Sequence, residues 1–415
     1  MKRIFPILII SFAIFSMSAC TNQKADLKNG VWRATLKTAL GAEIPFNFEV
    51  LDSAGKKHFD IINGKERFRV DEVTIKEDSV YIQMPLFDSE IKAVFEGNNL
   101  VGKWIKHLAT EDVAMIFKAQ PDESWRFFKT NVTTEKNISG RWSASFISTD
   151  KKDTTVAVGE FQQNSNKLTG TFLTSTGDYR FLEGTVSDNK LYLSCFDGSN
   201  AYLFTAKLQN DSTLVEGTFY SGFSSVEKWS AKRDEHALLP DAYSLTALKA
   251  GSSSIDFNFP DLNGKKVSLS DNKFKDKVVI VQFFGSWCPN CMDETAYLAP
   301  FYKKYQDKGV EIVGLAYERS TDFNVAKKNV ERLKNRFDVT YDLLITGYSN
   351  DKIEVAKSLP MLNNFVAFPT VMIIGKDGKV RKIHTGFAGP GTGNYYTEFV
   401  SEFEETIKTL IAENN

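Results

Sequence analysis

Two regimes of hydrophobic patterning divide the chain. Up to about residue 234, short runs alternate apolar and polar positions, as in Phe46-Asn47-Phe48-Glu49-Val50 and Thr169-Gly170-Thr171-Phe172-Leu173. A period of two marks strands with one buried face. Turn signals separate the runs: Ser53-Ala54-Gly55-Lys56, Gly97-Asn98-Asn99 and Gln209-Asn210-Asp211-Ser212. The pattern also repeats. Asn29-Gly30-Val31-Trp32 returns as Ser139-Gly140-Arg141-Trp142, Asp78-Ser79-Val80-Tyr81-Ile82 as Asp188-Asn189-Lys190-Leu191-Tyr192-Leu193, and Leu100-Val101-Gly102-Lys103-Trp104 as Leu214-Val215-Glu216-Gly217-Thr218-Phe219. An internal repeat of about 110 residues predicts two copies of one antiparallel all-β domain, residues 28–120 and 138–234, each a small barrel or sandwich. Between them, Pro121 to Asn137 reads as a connector with a short helix around Glu123 to Lys129. Residues 235–253, with Pro240 and a Gly-Ser-Ser-Ser end, read as a linker.

From residue 254 the period changes. Phe257 to Leu269 is a hairpin pattern turning at Asn263-Gly264. Val278-Val279-Ile280-Val281-Gln282-Phe283-Phe284 is continuously apolar but for one residue, as in a strand covered on both faces. Cys291 to Lys308 has helical spacing and stops at Gly309; Glu311 to Tyr317 is a second buried strand, and Asp322 to Phe337 an amphipathic helix. Asp342 to Ile345 reads as extended, Asp351 to Leu359 as a short helix, Thr370 to Ile374 and Val380 to Thr385 as a hairpin, and Tyr395 to Ala412 as a closing helix. Strands alternating with helices predict an α/β domain over residues 254–415.

Composition leaves this picture intact. The chain has 415 residues, 42% hydrophobic and 25% charged, with a formal net charge of −1. That balance gives no basic surface for nucleic acid. The first residues stand apart. Lys2 and Arg3 precede an apolar stretch from Ile4 to Phe15, then the small residues Ser16, Ser18 and Ala19, then Cys20. This resembles a bacterial lipoprotein signal over residues 1–20, with Cys20 as the lipidated residue. The plainer alternative is a secretory signal with an incidental cysteine. Both readings export the protein, to a setting where disulfide chemistry is at home.

The four cysteines carry the chemistry. Cys195 alternates with Leu191 and Leu193 and reads as a buried small hydrophobe, with a third redox role as the alternative. Trp287-Cys288-Pro289-Asn290-Cys291 lies between an apolar strand and a helix. Two cysteines two residues apart can close and reopen a disulfide. At a helix N-terminus, free N–H groups and the helix dipole favour a thiolate, the attacking species in disulfide exchange. A structural disulfide or half a zinc site is the competing reading. Zinc needs two further ligands, which Cys195 and His384 do not obviously supply. In the repeats His58, His107 and His236 are scattered, and no catalytic constellation appears.

Four features together resemble the exported TlpA/ResA-like thiol–disulfide oxidoreductase family, whose domain has a thioredoxin fold. They are the Trp287–Cys291 motif, the Asp261-Leu262-Asn263-Gly264-Lys265 hairpin before it, Glu294 three residues past Cys291, and Phe368-Pro369-Thr370 before a strand. The resemblance covers residues 254–415 only. It implies Cys288 as exposed nucleophile, Cys291 as resolving thiol, Glu294 as a partly buried proton carrier, and Pro369 as a cis proline. It further implies that Trp287, Pro289, Phe368 and Thr370 border the substrate groove. The glycine-rich Thr385–Gly393 loop lacks the strand-to-helix context and Lys of a phosphate loop and reads as a turn and lip of that groove. Thioredoxins proper usually carry an Asp six positions before the first cysteine; Gln282 stands here and shifts proton handling towards Glu294. No cofactor is implied beyond the Cys288–Cys291 couple. The expected partners are protein disulfides and a membrane-linked thiol donor, and the expected location is the periplasm-facing cell envelope. Two other functions compete. One is a thiol peroxidase, although the Pro-x-x-x-Thr-x-x-Cys motif is absent. The other is a ligand-binding β module with an accessory redox domain.

Overall fold

The computed structural model describes residues 26–108, 110–130 and 135–413. Cys20 lies outside the described residues. Among those described, no helix is long and apolar enough to cross a membrane.

The first repeat is a nine-stranded antiparallel sheet running from Gly30–Lys37 to Asp112–Pro121. Neighbours in sequence pair, and the first strand also pairs with the ninth, Trp32 opposite Pro121. One seam stays open: Glu66–Val70 and Glu72–Lys76 follow each other in the chain yet form the two sheet edges. The second repeat has the same nine strands, from Gly140–Ser148 to Ser225–Arg233. Its fourth strand shrinks to Gly177–Asp178. The third, Lys167–Thr174, therefore reaches the fifth, Leu182–Ser187, with Leu168 opposite Gly184. First and ninth strands pair as well, so this sheet closes into a barrel, which abolishes free edges. Inward aromatics fill it: Phe204 and Phe219 stack at 4.2 Å around the fully buried Trp142, Phe146 and Phe172. Cys195 belongs to this core.

The connector departs from expectation. Residues 123–130 form no helix. Their side chains are drawn to different partners: Trp125 under the Arg33 guanidinium, Phe127 against Tyr192, and Arg126 buried between the two repeats. An extended backbone serves those anchors better than a helical turn.

The α/β part holds a five-stranded sheet in the order Asp342–Ser349, Val310–Glu318, Val278–Phe284, Thr370–Ile374, Val380–Thr385. The first three strands are parallel; Thr370–Ile374 runs antiparallel to Val278–Phe284, and Val380–Thr385 antiparallel to Thr370–Ile374. Four helices surround it: α1 (Pro289–Tyr305), α2 (Phe323–Phe337), α3 (Lys352–Ser358) and α4 (Asn394–Ala412). This is the thioredoxin-like arrangement. Asp342 begins a longer strand than the sequence suggested, ending at Ser349. Residues 247–248 pair with Leu362–Asn363, so part of the linker lies on this domain. One hydrophobic cluster runs without a break from Trp32 and Phe48 of the first repeat, through Phe196 and Leu203 of the second, to Cys288 and Cys291.

Candidate active site

Strand Val278–Phe284 is buried at every position and delivers the chain to the start of α1. Cys288 is the N-cap in extended conformation, and Pro289 follows at the first helical position, where its missing N–H costs nothing. The N–H of Cys291 donates to Cys288 Sγ at 3.2 Å. Cys291 is fully buried and Cys288 is 6% exposed, so the nucleophile expected to be open is well covered. Across the groove, the Phe368–Pro369 peptide is cis, and Cys288 Sγ lies 4.0 Å from Phe368 O. Thr370 Oγ1 ties this corner by donating to Ala367 O at 2.7 Å. Trp287 packs edge-on against Phe368 at 5.7 Å and donates its ring N–H to Tyr317 O at 3.0 Å.

Beneath the dithiol, Glu294 is 1% exposed. Its Oε2 accepts from Gln282 Nε2 at 2.9 Å, while Oε1 has no hydrogen-bond partner among the described residues. Gln282 Oε1 in turn accepts from Tyr341 at 3.1 Å. Burial pushes the Glu294 carboxyl up to about 8, against the single hydrogen bond from Gln282. Burial also pushes the Cys291 thiol up, helped by Cys288 and by the Glu294 charge. A second buried carboxylate was not foreseen. Glu318, at the end of its strand, accepts from the N–H and hydroxyl of Ser286, each at 2.7 Å, and burial lifts it to about 6. Arg319 lies over the Trp287 ring at 5.4 Å. A carboxylate ending an apolar strand opposite the cysteine motif was the available signal. Its pairing with Ser286 crosses from one strand end to another, and no spacing rule encodes that.

Both β repeats reach the site. Leu86, Phe87 and His107 of the first share a cavity of about 240 Å³ with Trp287, Glu318 and Arg319. Arg180 of the second donates to Pro289 O at 3.4 Å and pairs with Asp293. His384 is wedged between Tyr243 and Phe399, each ring centroid at 4.9 Å, and burial pushes it down to about 4. Among the described residues, no group of three or more His, Cys, Asp or Glu is arranged to hold a metal ion.

The family model Redoxin matches residues 249–398. Thiol-disulfide oxidoreductase ResA of Geobacillus thermodenitrificans is 35% identical over 141 residues, covering 34% of this chain and 72% of that protein. The chain belongs to this family of thiol–disulfide oxidoreductases. ResA of Bacillus thuringiensis subsp. konkukian is 35% identical over 133 residues, covering 32% of this chain and 68% of its own. Among solved structures, a thioredoxin family protein from Chlorobium tepidum TLS has 20% identity and a TM-score of 0.30, covering 40% of this chain and 100% of that one. These matches lie in the C-terminal part, so the oxidoreductase assignment rests on the domain that holds Cys288 and Cys291.

Proposed function

We propose that this oxidoreductase reduces protein disulfides through the Cys288–Cys291 dithiol, on the outer side of a membrane to which lipidated Cys20 anchors it. The observation that carries the reading is the Cys291 N–H directed at Cys288 Sγ, beside the cis Phe368–Pro369 corner and above buried Glu294. The Cys288 thiolate attacks one sulfur of a substrate disulfide. A mixed disulfide forms, the substrate bond breaks, and the released thiolate takes up a proton. Cys291 then gives up its proton and attacks Cys288, which forms the intramolecular disulfide and releases the second substrate thiol. Two electrons have passed to the substrate, and an external dithiol must return them. Glu294, with a carboxyl near 8, is suited to move the Cys291 proton, because transfer is efficient when donor and acceptor affinities are close to the working pH. The Trp287, Pro289, Phe368 and Thr370 corner receives the substrate backbone.

An insulin-reduction assay with dithiothreitol as donor tests this. Wild type accelerates insulin precipitation, and Cys288→Ser falls to the uncatalysed rate. Cys291→Ser accumulates a mixed disulfide with insulin that runs as an adduct on a non-reducing gel. Turnover by Cys288→Ser equal to wild type would refute the proposal.

A further inference from the structure

The turn of the second repeat from Ser175 to Arg180 crosses the redox domain at the edge of the dithiol. At one end its backbone lies on Gly386, where an added Cβ would stand 2.9 Å from the Thr176 carbonyl carbon and 3.1 Å from Ser175 O. Gly386 in turn donates its N–H to Pro369 O at 2.8 Å. In the middle, Gly177 rests on the motif itself, since a Cβ there would meet Asn290 Nδ2 at 1.8 Å. Asp178 Oδ2 then accepts from the Gly389 N–H at 2.7 Å. At the far end Arg180, 2% exposed and with φ of +59°, donates to Pro289 O and pairs with Asp293 and with Glu66 of the first repeat. Asp197 completes its surroundings, 3.5 Å from Nε.

These contacts fall on two rims of one groove. One rim is Pro289, Asn290 and Asp293 of the motif turn and α1; the other is the Gly386–Gly389 loop, hung on the cis proline. The segment joins them, touching both. Burying a guanidinium among Glu66, Asp197 and Asp293 specifies one seating for this turn. A turn serving only to connect two strands does not need the buried ion set.

We propose that Ser175–Arg180 is an internal occupant of the substrate groove, latched by Arg180, and that a protein disulfide reaches Cys288 only after the segment lifts. The proposal rests on the groove and nucleophile assigned above. Small thiol reagents need only a path to the sulfur, whereas a polypeptide needs the groove. The gate therefore discriminates by size.

The test is the alkylation rate of Cys288 in the reduced full chain, with iodoacetamide and with a polymer-linked maleimide. Arg180→Met removes the latch, and Asp178→Asn weakens the Gly389 contact. The polymer reagent is expected to react roughly tenfold or more faster with Arg180→Met than with wild type, with Asp178→Asn between them, while iodoacetamide rates change by less than about threefold. Equal polymer rates in wild type and both folded variants overturn the gate. If Arg180→Met fails to fold, amide exchange of wild type decides. Gly389 and residues 175–180 are expected to exchange well before strand Thr370–Ile374, and exchange of all of them together overturns the gate. Insulin reduction separates the two claims. Its absence in every form, with polymer alkylation still accelerated, removes the reductase reading and keeps the gate. Reduction at one rate in all forms, with unchanged alkylation, removes the gate alone.

Discussion

Glu294 holds a carboxyl that water does not reach, with one oxygen bonded and the other without a partner among the described residues. Its acidity follows from burial, and its stability effect has a definite sign. The folded value of about 8 lies above the ordinary 4.5, so the native state binds the proton more tightly than the unfolded chain. That contribution is full below pH 4.5 and is lost as pH rises through 8, on the order of 5 kcal/mol at 1.36 kcal/mol per unit. Wild type is expected to lose more stability than Glu294→Gln between pH 5 and pH 8, by about 3 kcal/mol in guanidinium denaturation. The variant is also expected to turn over insulin roughly 100-fold more slowly and to lose the pH inflection near 8. Parallel stability losses in the two proteins would remove Glu294 as the titrating group. The residue itself was legible three positions past Cys291. Gln282 was legible as a departure from thioredoxins proper. Tyr341, which fixes the Gln282 amide, was not, because it approaches from another element through packing alone.

At the scale of elements, periodicity carried most of the architecture. Strand Val278–Phe284 and the hairpin strands Thr370–Ile374 and Val380–Thr385 have the bounds their apolar runs imply, and α2 starts after the cap that Asp322 supplies to Asn324 and Val325. Whether a β repeat closes was not legible, because closure depends on Lys167–Thr174 passing over a shortened neighbour to reach Leu182–Ser187. The Leu-x-Gly-x-Trp strand has a reason that only the sheet reveals. Gly102 faces Ala93, and an added Cβ would sit 2.0 Å from Lys92 O. This backbone approach leaves no room for a side chain. Gly102→Ala is expected to cost at least roughly 3 kcal/mol in urea unfolding, because the clash is with a hydrogen-bonded strand that must shift. Gly55→Ala, in an open turn with φ of +81°, is the comparison: only left-handed strain acts there, at about 1 kcal/mol. Similar losses at the two positions would mean that the strands part easily, contrary to the geometry.

The whole molecule depends on a few charged side chains buried where its parts meet, and these were the least legible of all. Arg126 and Arg180 are isolated arginines in irregular segments, with no periodicity to mark them. Arg126 donates to Ser194 O at 3.3 Å and Ser194 Oγ at 3.1 Å in the second repeat, and to Ile62 O in the first. Glu183 stands 3.5 Å away. Around this joint the repeats share apolar contacts, with Phe46 and Phe196 ring centroids at 4.4 Å and Asn63 donating to Phe196 O at 2.8 Å. Removing one member of such a set leaves buried acceptors without donors, a loss of about 3 kcal/mol. The shared hydrophobic cluster makes that loss collective, since Phe196, Ala201 and Leu203 of the second repeat are packed into the core of the first and are exposed when the joint opens. Arg126→Met is therefore expected to lower the midpoint of a single calorimetric transition rather than to detach one repeat. Two resolved transitions, only one of them shifted, would show that the repeats fold independently and that the dithiol's cover is held by local contacts alone.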